Sequence, residues 1–324
     1  MKAAALVRPG IVELVDVAEP ECGPDQVVVR VLGVGLCGSD LGVYSGSRPV
    51  PRTPWVLGHE GVGEIVEVGG RVRDRRVGQR VAIEPNYCCF DCPPCRSGFT
   101  SACVNRVVIG IGVPGLIAER VAVPAAFTFP VAEHVALVDL VCAEPLTVAR
   151  AAIRRAGIAA GDSCLVVGTG SQGLFLCAAL VALGVTPHVV EPHEGRRELA
   201  VSLGAVVADD AVRDVDFVFE TSGVPAALPP ALSRLAPGGT AVLIGISAQP
   251  LDLTLWTIVY RQLKLVGSLI YDHPADFAGT VAALEDGAVA PHRVLRPGFP
   301  LAAAPDAFAA VRSTAGKCWI DLTA

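Results

Sequence analysis

The stretch CLVVGTGSQG, residues 164–173, decides how the second half of this chain folds. Its first four residues are apolar and predict a buried strand, and the glycines that follow fit the pattern G-x-G-x-x-G at the start of an apolar helix. Gly168 permits a tight turn, Gly170 lets a pyrophosphate approach the backbone, and Gly173 lets helix and strand pack closely. The phosphates then lie at the helix N-terminus. A glycine turn that binds no ligand is the alternative.

An acidic residue ends the next predicted strand. Glu191 follows the predicted strand 188–190, at the position where a carboxylate binds the hydroxyls of an adenosine ribose and repels a 2′-phosphate. The motif and this acid together indicate a dinucleotide site that favours NAD over NADP. His193, Arg196 and Arg197 lie close by and keep NADP open as an alternative. The predicted cofactor contacts in this region are Gly168, Gly170, Ser171, Gln172, Gly173, Glu191 and Arg196.

Strands and helices alternate around this motif from about residue 147 onward. The predicted strands cover residues 164–167, 188–190, 206–208, 216–219, 240–245 and 264–268, and the predicted helices cover 172–183 and 195–203. This alternation predicts a parallel sheet flanked by helices. The first half has short β-type runs between many Gly and Pro residues, which predict a small β-rich domain of hairpins and partly open barrel strands, at 26–34, 63–68, 80–83 and 120–123. We therefore expect a cofactor domain over residues 148–287 and a β-rich domain over residues 1–147 and 288–324.

The connection between two of the predicted strands, residues 209–215, is unusually short. In a sheet with strand order 3-2-1-4 this connection crosses two strands, about 14 Å at a spacing of ~4.8 Å, and also returns along the strand length. Eight Cα–Cα steps reach about 27 Å at most, so a full crossover helix does not fit. We expect a nearly extended link that thins one flank of the sheet.

Four cysteines at short spacing form a second chemical motif: Cys89, Cys92, Cys95 and Cys103. Four thiolates in one loop can surround a tetrahedral zinc ion, and such a closed site is structural because no position is left for a substrate. Cys88 is a neighbour that could compete, but its spacing to Cys92 differs by one residue. Disulfides and incidental core cysteines are the alternatives.

The composition limits the classes of protein that remain. The 324 residues are 52% hydrophobic and 18% charged, which excludes a disordered chain, and the length suggests about two domains. A net charge of −6 argues against nucleic-acid binding through a basic face. The apolar runs are too short for a membrane span and no secretion signal is visible, so we expect a cytoplasmic protein. For eleven cysteines in a reducing compartment, metal binding or catalysis is then favoured over a disulfide framework.

Three further segments carry metal-binding residue types but lie far apart in the sequence. They are CGSD at 37–40, GHE at 58–60 and EP at 144–145. Cysteine, histidine and glutamate all bind zinc, and three protein ligands with one open position make a catalytic site. Taken singly, Cys37 is more often a small core residue and His59 a hydrogen-bonded structural one. Spacing alone does not join these segments.

In their order along the chain, these motifs are similar to those of the zinc-dependent medium-chain dehydrogenases, the alcohol and polyol dehydrogenase family. The segments that carry the resemblance cover nearly the whole chain: CGSD at 37–40, GHEGVG at 58–63, the four cysteines, EPL at 144–146 and the glycine motif at 168–173. The EPL form resembles the sorbitol, threonine and butanediol dehydrogenase branches more than the ethanol-oxidising branch. The resemblance implies an α/β fold, with a doubly wound Rossmann domain, a β-rich GroES-like catalytic domain and an active site in the cleft between them.

The resemblance also implies roles for individual residues near the active site. Cys37 and His59 would bind a catalytic zinc, and Glu60 or Glu144 would complete the set of ligands. Asp40 would orient the ring of His59 through its second nitrogen.

Three other positions follow from the same resemblance. Ser39 would hydrogen-bond the substrate oxygen and begin a proton path, although Gly42 replaces the histidine that passes the proton outward in many relatives. Lys317 matches a family position near the cofactor pyrophosphate, with a solvated surface lysine as the alternative. The strand at 264–268 would pair across a dimer, and we expect a homodimer or a homotetramer.

The prediction is a dehydrogenase with one catalytic and one structural zinc, which transfers a hydride between NAD(H) and a secondary alcohol, a polyol or the matching ketone. We expect no nucleic-acid or membrane partner. Its substrate pocket is expected to include Ser39, Tyr44, Trp55 and Tyr87. One alternative is a biosynthetic ketone reductase of the same fold that uses NADPH. A more distant alternative is a non-catalytic zinc or redox-sensing protein that uses the cysteines as a switch.

Overall fold

The structure is a computed structural model that describes all residues, 1–324. Its strands are β1 (Lys2–Arg8), β2 (Ile11–Asp16), β3 (Gln26–Gly35), β4 (Trp55–Val56), β5 (Glu60–Val68), β6 (Arg80–Ile83), β7 (Asn86–Tyr87), β8 (Val107–Val108), β9 (Arg120–Pro124), β10 (Thr128–Pro130), β11 (Cys164–Val167), β12 (Pro187–Val190), β13 (Val206–Val207), β14 (Val215–Glu220), β15 (Leu235–Leu243), β16 (Lys264–Gly267), β17 (Phe299–Pro300) and β18 (Trp319–Asp321). Its helices are α1 (Gly38–Tyr44), α2 (Pro93–Arg96), α3 (Leu137–Leu140), α4 (Ala143–Ala156), α5 (Ser171–Ala182), α6 (Glu194–Ser202), α7 (Leu228–Ser233), α8 (Leu255–Tyr260), α9 (Ala275–Glu285) and α10 (Ala304–Ala310). None of these helices combines the length and the apolar character that crossing a membrane requires.

The chain divides into two compact units. The first contains Met1–Glu144, Asp272–Ala288 and Leu295–Ala324, and the second contains Pro145–Tyr271 and Val289–Val294. Residues 272–287, which we expected in the cofactor domain, pack in the first unit, and Val289–Val294, which we expected in the β-rich domain, packs in the second. Within the first unit, Glu285 accepts a hydrogen bond from the Ala132 amide (2.8 Å), and the ring of His273 lies 2.7 Å from a carboxylate oxygen of Glu84.

The first unit is built around a sheet with the order β10-β6-β5-β3-β18-β17, in which β9 also pairs with β3. The four β-type runs predicted for this half are found as β3, β5, β6 and β9. Because β3 has neighbours on both edges and packing on both faces, Val27 and Val29 have no exposed surface, and neither does Ile65 of β5. The antiparallel register pairs Gly35 with Glu60, so the end of β3 lies beside the start of β5.

The second unit contains a six-stranded parallel sheet with the order β13-β12-β11-β14-β15-β16. This is the doubly wound order, in which strand succession reverses between β11 and β14. The strands and helices predicted from the alternation of apolar and polar runs are all present. The glycine motif lies between β11 and α5, at the carboxyl end of the first strand.

The link between β13 and β14 contains no helix, which confirms the prediction from its length. It is not extended throughout, because the backbone turns near residues 210–211 and Asp214 has a φ of 53°. Ala208 and Val212 of the link pack against the core of this unit in place of a helix. Val206 and Val207 remain 46% exposed, so this flank of the sheet is thinner than its centre.

Candidate functional site

A group of three potential metal ligands forms where β3 ends and β5 begins. Cys37 follows β3 and precedes α1, while His59 and Glu60 stand at the start of β5. The pairing of Gly35 with Glu60 brings these two segments together, and the ligand atoms of the three side chains lie within 4.8 Å of one another. A thiolate, an imidazole and a carboxylate are the donor types that catalytic zinc sites use.

Asp40 fixes the geometry of this group. One carboxylate oxygen lies 3.0 Å from Nδ1 of His59, and the other accepts a hydrogen bond from the Cys37 amide (2.8 Å). Burial opposes charge on both groups, but their mutual attraction outweighs it, raising the pKa of His59 and lowering the pKa of Asp40. Because Nδ1 faces Asp40, Nε2 is the nitrogen that remains for a metal, which is the orientation that the family resemblance implies. Ser39 Oγ lies 3.3 Å from that Nε2.

Lys317 is fully buried and forms an ion pair with Glu60. Its Nζ also donates to the carbonyl of Leu36 (3.1 Å), directly before Cys37. The alternative of a solvated surface lysine is therefore wrong, and the predicted contact with a pyrophosphate stays a prediction. The pairing with Glu60 could not be predicted from the sequence, because most of the chain separates the two residues.

Glu144 does not join the three-residue group. It is buried in the first turn of α4 and has interaction partners of its own. Of the two carboxylates considered as the third zinc ligand, Glu60 is the one that the structure brings to Cys37 and His59.

The four cysteines between residues 89 and 103 form a second group, here called the cysteine lobe. Their sulfur atoms lie within 4.8 Å of one another, and none of the eleven cysteines is in a disulfide. Backbone amides of Asp91 and Cys92 lower the pKa of Cys89 to about 6, which favours the thiolate that a metal requires. Cys88 is buried nearby but is not part of the group. The spacing argument from the sequence therefore selects the same four sulfurs.

The glycine motif adopts the conformation that its three functions require. Gly168 has a φ of 86°, in the left-handed region that favours glycine. A Cβ on Gly173 would lie 2.1 Å from the carbonyl oxygen of Gly168, so only glycine allows the helix to pack this closely on the turn. A Cβ on Gly170 would meet nothing within 4 Å, so the loop is open on the side where a pyrophosphate would approach.

Glu191 is held beside this loop by backbone amides. Its carboxylate accepts hydrogen bonds from Thr169 (2.7 Å) and His193 (3.0 Å), and the residue is 8% exposed. The guanidinium of Arg197 donates to the Glu191 carbonyl (2.9 Å), so this cation supports the backbone of the turn. Arg196 has partners of its own in the structure. Gln172, predicted as a cofactor contact, donates its side-chain amide to the Pro145 carbonyl (3.2 Å).

Two of the aromatic residues expected in the substrate pocket line a separate cavity. Trp55 and Tyr87 belong to a cavity of about 440 Å³ in the first unit, whose lining includes neither Ser39 nor Tyr44. The Trp55 ring donates to the Gly110 carbonyl (3.0 Å), and Tyr87 packs on a phenylalanine ring. Tyr44 stacks on Phe308 at 5.6 Å. The place of Tyr44, Trp55 and Tyr87 in a substrate pocket stays a prediction.

Comparison with known proteins shows which families the chain matches. Residues 23–133 match the family of alcohol dehydrogenase GroES-like domains, and residues 173–286 match the zinc-binding dehydrogenase family. The chain is 34% identical to L-threonine 3-dehydrogenase of Pyrococcus horikoshii over 82% of each chain, and 31% identical to L-galactonate-5-dehydrogenase of Escherichia coli over 87% of each chain. A solved zinc-binding dehydrogenase structure from Sinorhizobium meliloti, bound to NADP, superposes with a TM-score of 0.91 at 29% identity and covers 99% of this chain and 98% of that one.

The first family match includes the segments that carry both metal-ligand groups, and the S. meliloti structure aligns with 99% of this chain. The chain therefore belongs to the zinc-dependent medium-chain dehydrogenase family, whose members are NAD(P)-dependent alcohol and polyol oxidoreductases.

Proposed function

We propose that this protein oxidises a secondary alcohol or polyol, or reduces the matching ketone, with NAD(H) as the hydride carrier. The observation that carries the proposal is the convergence of Cys37, His59 and Glu60. Asp40 forms hydrogen bonds with both Cys37 and His59. A redox sensor would need the cysteine lobe but would have no use for this second, oriented group. The relatives named above act on a hydroxyl of an amino acid or of a sugar acid, which supports the substrate class.

Residues of the first unit would have separate roles at this site. Zinc held by Cys37, His59 and Glu60 would supply Lewis-acid chemistry toward an alcohol oxygen, and a bound nicotinamide would accept the hydride. Asp40 keeps the His59 ring in the orientation that leaves Nε2 for the metal. Ser39 Oγ lies 3.3 Å from that nitrogen, and its hydroxyl would accept a hydrogen bond from the alcohol and give up its own proton as it takes the alcohol's.

The proton then leaves without a histidine relay. Position 42 is glycine, and its carbonyl accepts hydrogen bonds from the hydroxyls of Ser45 (3.2 Å) and Ser47 (3.1 Å), which are exposed. No titratable side chain stands at position 42 to continue a proton path from Ser39. We infer that the proton passes from Ser39 to water.

Glu191 supports NAD as the preferred cofactor. Its carboxylate is fixed at the carboxyl end of β12 by two backbone amides, so a 2′-phosphate would meet a negative charge that cannot move away. The competing case is NADPH, which receives support from the NADP in the S. meliloti structure. Steady-state kinetics with NADH and NADPH decide between the two cofactors. In the parent we expect a preference for NADH, which Glu191→Ala should reduce. A parent enzyme that prefers NADPH contradicts the proposal.

The cysteine lobe is proposed as a structural zinc site. All four donors come from the protein, so no position remains for a substrate. Because the lobe needs free thiolates, we place the protein in a reducing compartment such as the cytoplasm.

Self-association is proposed through the edge of the parallel sheet. β16 is the last strand and leaves one side of its backbone without a partner strand, and the adjacent α8 exposes Leu255, Trp256, Val259 and Tyr260 to between 69% and 78%. A second copy pairing at this edge would cover both features and give a homodimer, or a homotetramer if dimers pair. Light scattering of the parent and of Trp256→Glu tests this proposal, and a monomeric parent contradicts it.

The test of the activity is a screen of polyols, diols, amino alcohols and sugar-like secondary alcohols, followed through NADH absorbance. The expected result is turnover of at least one class, which is abolished in Cys37→Ser while NADH binding is retained. Full activity of Cys37→Ser would remove the catalytic-zinc assignment.

A further inference from the structure

Arg155 donates hydrogen bonds to three oxygen atoms of the loop that follows β16, residues 268–270. Arg155 lies one residue before the end of α4, and its Nη1 donates to Ser268 Oγ (3.0 Å), to the Leu269 carbonyl (3.1 Å) and to the Ile270 carbonyl (2.7 Å). All four residues belong to the second unit. Neither the glycine motif nor the metal groups use this contact.

The loop has a conformation that its sequence disfavours. Ile270 has a φ of 43°, in the left-handed region that a β-branched residue rarely adopts. The start of the loop is tied to the sheet, because the Ser268 amide donates to the Leu243 carbonyl at the end of β15 (2.8 Å). Consecutive carbonyls that converge on one point repel each other unless a cation neutralises them. Arg155 supplies that cation and opposes relaxation of the loop.

The loop leaves the sheet at the edge where a dinucleotide would bind. In a doubly wound sheet, a dinucleotide lies across the carboxyl ends of the strands, with one nucleotide on each side of the reversal point. Glu191 follows β12 and assigns the adenosine to the β11–β13 half. The nicotinamide nucleotide therefore belongs to the β14–β16 half, and Ser268–Ile270 leaves the carboxyl end of its outermost strand.

We propose that Arg155 is a positioning residue for the nicotinamide half of the cofactor. It acts through the backbone of Ser268–Ile270, which it holds in the conformation that presents the loop to the nicotinamide. This inference rests on the proposed NAD(H) function. It predicts that loss of the guanidinium weakens binding of the whole dinucleotide but leaves binding of its adenosine half unchanged.

The experiment compares NADH with ADP-ribose, which lacks the nicotinamide. Dissociation constants of both are measured by NADH fluorescence and by competition, for the parent, Arg155→Met and Arg155→Lys. In Arg155→Met we expect NADH to bind at least about tenfold more weakly, because three hydrogen bonds from a charged donor are lost. Arg155→Lys keeps a cation and should weaken NADH binding less than Arg155→Met does. ADP-ribose should bind as in the parent.

Arg154→Met is the matched control, since Arg154 is the exposed neighbour on the same helix. It should leave both dissociation constants unchanged. Hydrogen exchange of the cofactor-free protein gives a second readout: the amides at 268–271 should exchange faster in Arg155→Met, with the glycine motif unaffected.

Three results would separate the possible failures. Unchanged NADH binding in Arg155→Met overturns the inference and leaves the cofactor site intact. Equal weakening of NADH and ADP-ribose shows that Arg155 serves general stability, which also overturns it. A parent protein that binds neither molecule contradicts the proposed function itself.

Discussion

The cysteine lobe and the group of Cys37, His59 and Glu60 are two metal-ligand sites built in opposite ways. The lobe takes four identical donors from one short loop, and backbone amides donate hydrogen bonds to the sulfurs of Cys89 and Cys103. The other group takes three different donors from two segments that the pairing of β3 with β5 brings together, and the side chains of Asp40 and Lys317 support it. A closed set of thiolates suits stability, whereas a mixed and incomplete set with an oriented histidine suits chemistry. Substitutions in the cysteine lobe should therefore lower mainly stability, and substitutions of the ligands in the other group should lower mainly activity.

The largest effect is expected in the cysteine lobe, from Cys95→Ser. Loss of one of four ligands should release the metal and lower the free energy of unfolding by roughly 5 kcal/mol or more, because structural zinc sites contribute binding free energy directly to folding. Thermal unfolding monitored by circular dichroism, together with metal content, measures this loss. The folded fraction should still turn over substrate.

Cys88→Ser is the matched control, because Cys88 is buried beside the lobe but lies outside the four-sulfur group. It should keep the full metal content. If Cys88→Ser loses metal and Cys95→Ser does not, the ligand assignment of the lobe is wrong.

A smaller loss of stability is expected from Lys317→Met at the other site. The variant leaves the Glu60 carboxylate buried without its cation, and breaking a buried ion pair costs about 3–5 kcal/mol. Chemical denaturation measures the change, and metal content shows whether Glu60 still holds the ligand set together.

Lys2→Met provides the comparison for Lys317→Met. Lys2 pairs with Asp16 at 2.8 Å on the surface, and an exposed pair of this kind contributes about 0–1 kcal/mol. Equal effects of the two substitutions would contradict the buried pairing of Lys317 with Glu60.

The smallest of the three effects is expected from Asp40→Asn. The amide keeps the shape of the side chain but loses the charge that orients His59, and such partners of a metal ligand change affinity or activity by about 10–100-fold. Turnover and zinc affinity should fall together while the stability of the cysteine lobe is unchanged. A variant with parental zinc affinity would show that Asp40 is only a packing residue.

The two sites also show how far the sequence predicts this protein. The four cysteines of the lobe are readable from spacing alone, because their loop is local. Cys37 and His59 could be joined only through a family resemblance, since the β3–β5 register that unites them leaves no signature in the spacing. The pairing of Lys317 with Glu60 and the contact of Arg155 with its loop depend on tertiary packing.

The parallel sheet was predictable for a related reason. Alternating apolar runs and the glycine motif are periodic and local, and the short link 209–215 could be judged from chain length. The membership of Asp272–Ala288 in the first unit was not predictable, because its contacts with Glu84 and Ala132 are made across the fold.

Zinc counting in the parent, Cys37→Ser and Cys95→Ser tests the two-site account most directly. We predict two zinc ions per chain in the parent and one in each variant, with turnover lost in Cys37→Ser and retained in the folded fraction of Cys95→Ser. A parent with one zinc per chain, released on oxidation of the cysteine lobe and independent of Cys37, would contradict the account and support a sensor.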